Sequence, residues 1–202
     1  AVAEQKARIK SPDNIVELPK APTEAEMLMP THKLGVQPDP GAITDDNKVA
    51  TEKSIDKHFT HKNHISGKAA IMSQIQHEND TFDPDRIEDT DAVNKGIGLF
   101  QFTGPQRDSL DRWLTDNNKE NTIDNQIEYF KILVTTDDND WATKYHDIGS
   151  GNREHIRKAF ETDNAAEISK ALSERFERFK GYKDDTGRIK KASELEEHYT
   201  NE

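Results

Sequence analysis

Every Phe, Tyr and Trp of this chain lies at or after Phe59, and six of its eight prolines (Pro12, Pro19, Pro22, Pro30, Pro38 and Pro40) lie before it. A segment without aromatic residues and with this much Pro cannot bury enough apolar surface to offset the conformational entropy of ordering it. Residues 1–51 are therefore expected to form an extended arm or linker, and residues 52–202 the folded domain. The arm carries two apolar islands, Ile15-Val16-Glu17-Leu18 and Met27-Leu28-Met29-Pro30. Such islands suit docking on a partner that orders the arm in an assembly.

From Glu52 onward the apolar spacing is helical almost throughout. Ile55 and Phe59 share one face of a short helix over 54–61, and Ser66 fits the N-cap of the next helix. In that second helix Ala70, Ile71, Ile75, Glu78 and Asn79 recur on one stripe. Glu78 thus emerges from the face that packs on the core, which is how a carboxylate becomes partly desolvated. Further amphipathic helices are expected over 105–114, 122–134, 153–160, 165–179 and 188–199, with Pro105 suited to a first turn. Strand chemistry is plausible only from Ile87 to Phe102, where Gly96 and Gly98 flank Ile97 and aromatics follow. There Phe100 and Phe102 alternate, so one is expected in the core and the other toward the cleft or solvent. The fold class is mainly α, a helical domain with one small β-hairpin.

Composition removes several functions. With no Cys there is no disulfide, thiol nucleophile or thiolate metal site. A formal net charge of −11 argues against nucleic acid, whose phosphates need clustered Lys and Arg. No apolar run approaches the roughly 20 residues that cross a bilayer, so membrane insertion is not expected. The N-terminus, Ala1-Val2-Ala3-Glu4-Gln5-Lys6, lacks the basic and apolar regions of a signal peptide. A chain starting without Met is expected to be Met-trimmed, processed or cut from something longer. His58, His61 and His64 are spaced by three, yet no acidic or Cys partner completes a metal motif. No cofactor is expected.

Chemistry concentrates between Ala69 and Arg107. A helix ending in Gln76-His77-Glu78 is followed by Phe82-Asp83-Pro84 and then by Gly96-Ile97-Gly98-Leu99-Phe100-Gln101-Phe102-Thr103-Gly104-Pro105-Gln106-Arg107. A carboxylate at a helix C-terminus opposes the macrodipole and asks for a reason. General acid catalysis supplies one, because a glycosidase needs a carboxylic acid in partly apolar surroundings that keep it protonated.

This segment resembles the phage tail-type lysozyme domains of virion-associated peptidoglycan hydrolases and, more distantly, lytic transglycosylases. Ala69 to Gln76 looks like the family's "A-A-x-I-x-G-N-I" helix leading to the catalytic Glu, and Gly98 to Arg107 looks like its "G-L-A-Q-W-T-G-x-x-R". Downstream, Asp124 to Phe130 resembles "D-x-Q-L-x-F", and Phe176-Glu177-Arg178 resembles "F/Y-E-R-P" with Phe179 in place of Pro. Arg188 and Ala192 fall on "R-x-x-x-A". The spacing from Glu78 to Phe82 is one longer than the family's, which puts Asn79 at the literal position. Glu78 keeps the role on grounds of face and reach, since Asp80 is shorter and lies beyond the turn.

The resemblance implies a lysozyme-like fold and cleavage of the β-1,4 bond of peptidoglycan glycan strands, with Glu78 as general acid. It places Gln101 and Phe102 on substrate, with Gln101 near the sugar N-acetyl group or the acid. Tyr145 joins them through the faint likeness of residues 145–152 to "A-Y-N-A-G-P-G-N". Asp89 and Asp91 are the nearest candidates for a second carboxylate, whereas a transglycosylase needs none, and sequence leaves that choice open. The implied location is a phage virion, with other virion proteins contacted through the N-terminal arm and action in the host periplasm or cell wall. The alternative is a non-catalytic virion structural protein retaining the scaffold.

Overall fold

The computed structural model describes residues 44–60, 63–88, 95–136, 145, 148–177 and 186–202. The expected arm up to residue 43, with both apolar islands, lies outside these residues, as do His61, Asp89, Asp91 and Phe179.

The described residues contain seven α-helices: α1 (Thr44–His58), α2 (His64–Glu78), α3 (Gly104–Asp116), α4 (Ile123–Thr135), α5 (Ser150–Phe160), α6 (Ala165–Leu172) and α7 (Thr186–Thr200). A π-helical turn, Ser173–Glu177, continues α6. Helix α1 starts ten residues before the expected Ser54. Asp45 and Asp46 in its first turn and Lys57 and His58 in its last match the helix dipole at both ends. That local electrostatics carries the helix back across residue 52.

Helix α2 is the central element. It is buried almost continuously from Ser66 to Ile75, and it packs mainly against α7 and α6. Small side chains (Ser66, Gly67, Ala69, Ala70, Ser73) let its neighbours approach closely. Ser66 is not the N-cap. The helix begins at His64, and the Ser66 hydroxyl donates to Asp163 Oδ1 (2.9 Å). Pro105 lies in the first turn of α3 as expected, and the Thr122 hydroxyl caps α4 by accepting from Asn125 N.

The expected hairpin reduces, among the described residues, to two isolated antiparallel bridges, Ile87 with Ile97 and Ile97 with Phe102. Residues 98–101 form a turn rather than a strand, and Gln101 takes a positive φ of 47°. This breaks the in–out alternation, so Phe100 and Phe102 are both buried. Phe100 stacks on Phe130 with centroids 4.2 Å apart, and Phe176 meets Phe130 edge-on at 5.0 Å. Such pairs add about 0.5–1.5 kcal/mol each beyond area burial. Beside them, Phe59 stacks on Phe160 at 5.7 Å. No helix among the described residues is long and apolar enough to cross a membrane.

Candidate active site

Glu78 is the last residue of α2, and its side chain is 21% exposed. Its Oε1 accepts a hydrogen bond from Arg188 Nη2 at the start of α7. The Arg188 side chain is only 4% exposed. The same guanidinium donates through Nη1 to Gln74 Oε1 (2.8 Å). Gln74 lies one turn before Glu78, so both oxygens sit on one helix face within reach of the planar fork. Gln74 is fully buried, and its Nε2 donates to Ser169 Oγ (3.0 Å), Ser169 O (3.1 Å) and Ser173 Oγ (3.3 Å).

Asn79 stands one residue beyond Glu78, at the spacing that the sequence resemblance gives for the acid. It is fully buried, and its amide donates to Asp83 O (2.7 Å) and Gly98 O (3.1 Å). Its Oδ1 accepts from the Thr81 hydroxyl (2.8 Å) and Arg86 Nη1 (3.4 Å). These bonds tie the end of α2, next to the partly exposed Glu78, to the glycine turn.

Gln101 reaches that junction from the other side, donating through Nε2 to the same Gly98 O (2.7 Å). Its Oε1 is sealed from solvent and has no hydrogen-bond partner among the described residues. Phe102, expected to line the cleft, is instead wholly buried. Its ring meets Tyr129 and Phe176 edge-on, because the turn at 98–101 reverses its direction. Tyr145 is half-buried, and its hydroxyl donates to Asp116 Oδ2 (2.9 Å) at the end of α3. The structure thus gathers Glu78, Asn79, Gly98 and Gln101, and gives Phe102 and Tyr145 other partners.

Asp83, Asp85 and Glu88, before the turn, each accept a hydrogen bond. Asp83 Oδ1 accepts from Asp85 N (2.9 Å), Asp85 Oδ1 from Asn121 (2.9 Å), and Glu88 Oε2 from Gly96 N (3.2 Å). The Asp124-x-Gln126 pair clamps the scaffold. Asp124 accepts from Lys57 Nζ (2.7 Å) and the Ser54 hydroxyl (3.0 Å), and pairs with His58 Nε2 (3.1 Å). Burial pushes its carboxyl up, but these hydrogen bonds outweigh that and hold it below the usual range. Gln126 accepts from Leu99 N (2.8 Å) and donates to Pro84 O and Asn121 Oδ1 (both 2.7 Å). His58 and His64 face separate carboxylates, Asp124 and Asp56. A cavity of about 550 Å³ between α1 and the start of α4 is walled by Ala50, Ser54, Pro84, Asn121 and Ile123 among others, and Glu78 is not part of its wall.

Sequence reading missed Gln74 as a functional neighbour. The available signal was its polarity inside an apolar stripe, four residues before Glu78. Arg188 was legible only as a motif position, since its partners lie 114 and 110 residues away.

A family model described as phage tail lysozyme matches residues 50–199. No curated protein and no solved structure matches the chain.

Proposed function

Because the chain belongs to the phage tail lysozyme family, and so with the lysozyme-like peptidoglycan hydrolases of phage, we propose that it cleaves the β-1,4 glycosidic bond of the glycan strand with Glu78 as general acid. The observation that carries this reading is the junction of α2 with the glycine turn. Asn79 and Gln101 converge there on Gly98 O, and Glu78 is the partly exposed carboxylate beside them.

Glu78 Oε1 is taken by Arg188, and no other hydrogen bond to Glu78 is formed among the described residues. Glu78 thus meets an arginine where the sequence reading expected apolar surroundings. Oε2 is the oxygen left to give a proton to the leaving glycosidic oxygen, while water in hydrolysis, or the sugar's own 6-hydroxyl in transglycosylation, takes the anomeric carbon. Gln101 is the proposed sugar contact beside the acid, and since its Nε2 is bonded to Gly98 O and its Oε1 is enclosed, it meets the sugar only by turning its amide outward. Tyr145, whose hydroxyl is bonded to Asp116, is left out of the site, and Phe102 supports the turn from within the core. The enzyme is carried in the virion, its N-terminal arm held by other virion proteins, and it acts in the host periplasm or cell wall. Deleting the arm then abolishes incorporation into particles and leaves activity on isolated wall intact.

A zymogram on purified cell wall tests the activity, with mass spectrometry of the soluble products. A clearing band with reducing-end muropeptides indicates hydrolysis, and anhydro-sugar ends indicate transglycosylation. Repeated absence of clearing by folded protein would refute the enzymatic reading in favour of a structural virion protein.

A further inference from the structure

We propose that Arg188 is a positioning residue for Glu78, held in register by Gln74 and the π-helical turn at Ser173. The inference rests on the reading of Glu78 as the acid. A glutamate at the last position of a helix has three side-chain torsions and an unfavourable dipole end beside it. A carboxylate so placed samples several directions unless something fixes it. Arg188 does so with one arm of its guanidinium, while the other arm is fixed on Gln74 Oε1 (2.8 Å).

Gln74 cannot turn away. Its amide is spent on Ser169, at the buried face of α6, and on Ser173, the first residue of the π-helical turn. The chain of contacts therefore runs from α6 through α2 to α7 and ends on Glu78 Oε1. It leaves Oε2 outside the pair.

Burying an arginine to hold a carboxylate is a poor way to gain stability. Ion pairs taken out of water often do no better than apolar side chains of the same volume. The fork has a geometric use instead, because a planar donor pair reading two oxygens one turn apart fixes direction as well as charge. Misplacing a reacting group by an ångström costs about a hundredfold in rate, which is the scale on which such a device acts.

The test compares wild type, Glu78→Gln, Arg188→Lys, Gln74→Met and the double variant Arg188→Lys/Gln74→Met on soluble uncrosslinked glycan strands, with melting temperatures recorded in parallel. Arg188→Lys keeps the charge and loses the fork, and Gln74→Met keeps the volume and loses the amide. The expected result is a fall in kcat of about ten- to a hundredfold for Arg188→Lys, with KM changed by less than about threefold. Gln74→Met shows a smaller fall of the same kind. The double variant is no slower than Arg188→Lys alone, because both act on one contact chain. Lower melting temperatures with unchanged kcat per folded molecule would overturn the inference, as would falls in kcat that multiply. If Arg188→Lys does not fold, Gln74→Met decides alone by the same split. Full activity of Glu78→Gln overturns the acid assignment and this inference together. An inactive Glu78→Gln beside unaffected positioning variants overturns this inference only.

Discussion

Replacing Gly98 by alanine tests how the glycine turn is held against the rest of the site. Gly98 has φ +77°, and a Cβ there would stand 2.3 Å from Gln126 Oε1, 2.6 Å from its Nε2 and 2.8 Å from its Cδ. A left-handed conformation costs an L-residue about 1–2 kcal/mol. Gln126 has no way to retreat, since it is fully buried and its amide is bonded to Pro84 O and Asn121 Oδ1. Moving it strips Leu99 N of its acceptor, and an unsatisfied buried donor costs about 1–3 kcal/mol. Reduced freedom of the unfolded chain returns about 0.4–1 kcal/mol. The net loss is about 2–4 kcal/mol, which lowers the melting temperature by roughly 5–15 °C in a domain of this size.

Gly104→Ala is the internal control. Its φ is also positive, at +47°, but no atom lies within 4 Å of the added Cβ, so it pays the backbone term alone and loses about 1 kcal/mol or less. Urea unfolding followed by circular dichroism measures both. Equal losses for the two variants would refute the claim that Gln126 holds the turn by close packing.

Other consequences are as direct. Asn79→Ala removes four side-chain hydrogen bonds, one buried and three part-buried, and should cost about 2–4 kcal/mol by denaturant unfolding; a loss below half a kcal/mol would deny Asn79 its structural role. Because the folded Asp124 carboxyl titrates below its unfolded value, its contribution is full above about pH 4 and vanishes as pH falls through the folded value. Asp124→Asn should therefore flatten the acid limb of a melting-temperature profile and leave the neutral limb parallel to wild type, and a steeper acid limb would contradict the sign. Removing residues 1–43 should leave the melting temperature within a few degrees. Removing 1–51 should lower it further, since Thr51 is buried and its hydroxyl donates to Asn47 O (2.8 Å) within α1; equal melting temperatures would deny that residues 44–51 matter to the domain.

What the sequence made legible follows from locality. The end of α2 at Glu78 and Pro105 in the first turn of α3 are each set by residues within one or two turns of each other. Within the helix expected over 165–179, Ile168, Ala171, Leu172 and Phe176 are buried and Arg175 is half-buried. Failures occur where local pattern and actual geometry separate. The in–out alternation that aimed Phe102 at the cleft presumes extended backbone, and one positive φ at Gln101 removes that premise. Helix α1 lacks a strong apolar face over 44–51, so its start was hidden in charge pattern rather than hydrophobic spacing. The pair Gln74–Arg188 joins α2 to α7 across more than a hundred residues, and nothing in either segment alone announces the other.

The central claim is that Glu78 performs the chemistry. Glu78→Gln keeps an oxygen to accept from Arg188 and removes the carboxylic acid, so it separates catalysis from folding more cleanly than alanine. Release of soluble products from purified peptidoglycan, normalised to folded protein by circular dichroism, is the measurement. The expected result is a melting temperature close to wild type and a rate lower by about a hundredfold or more. A folded Glu78→Gln protein that releases products at the wild-type rate would contradict it.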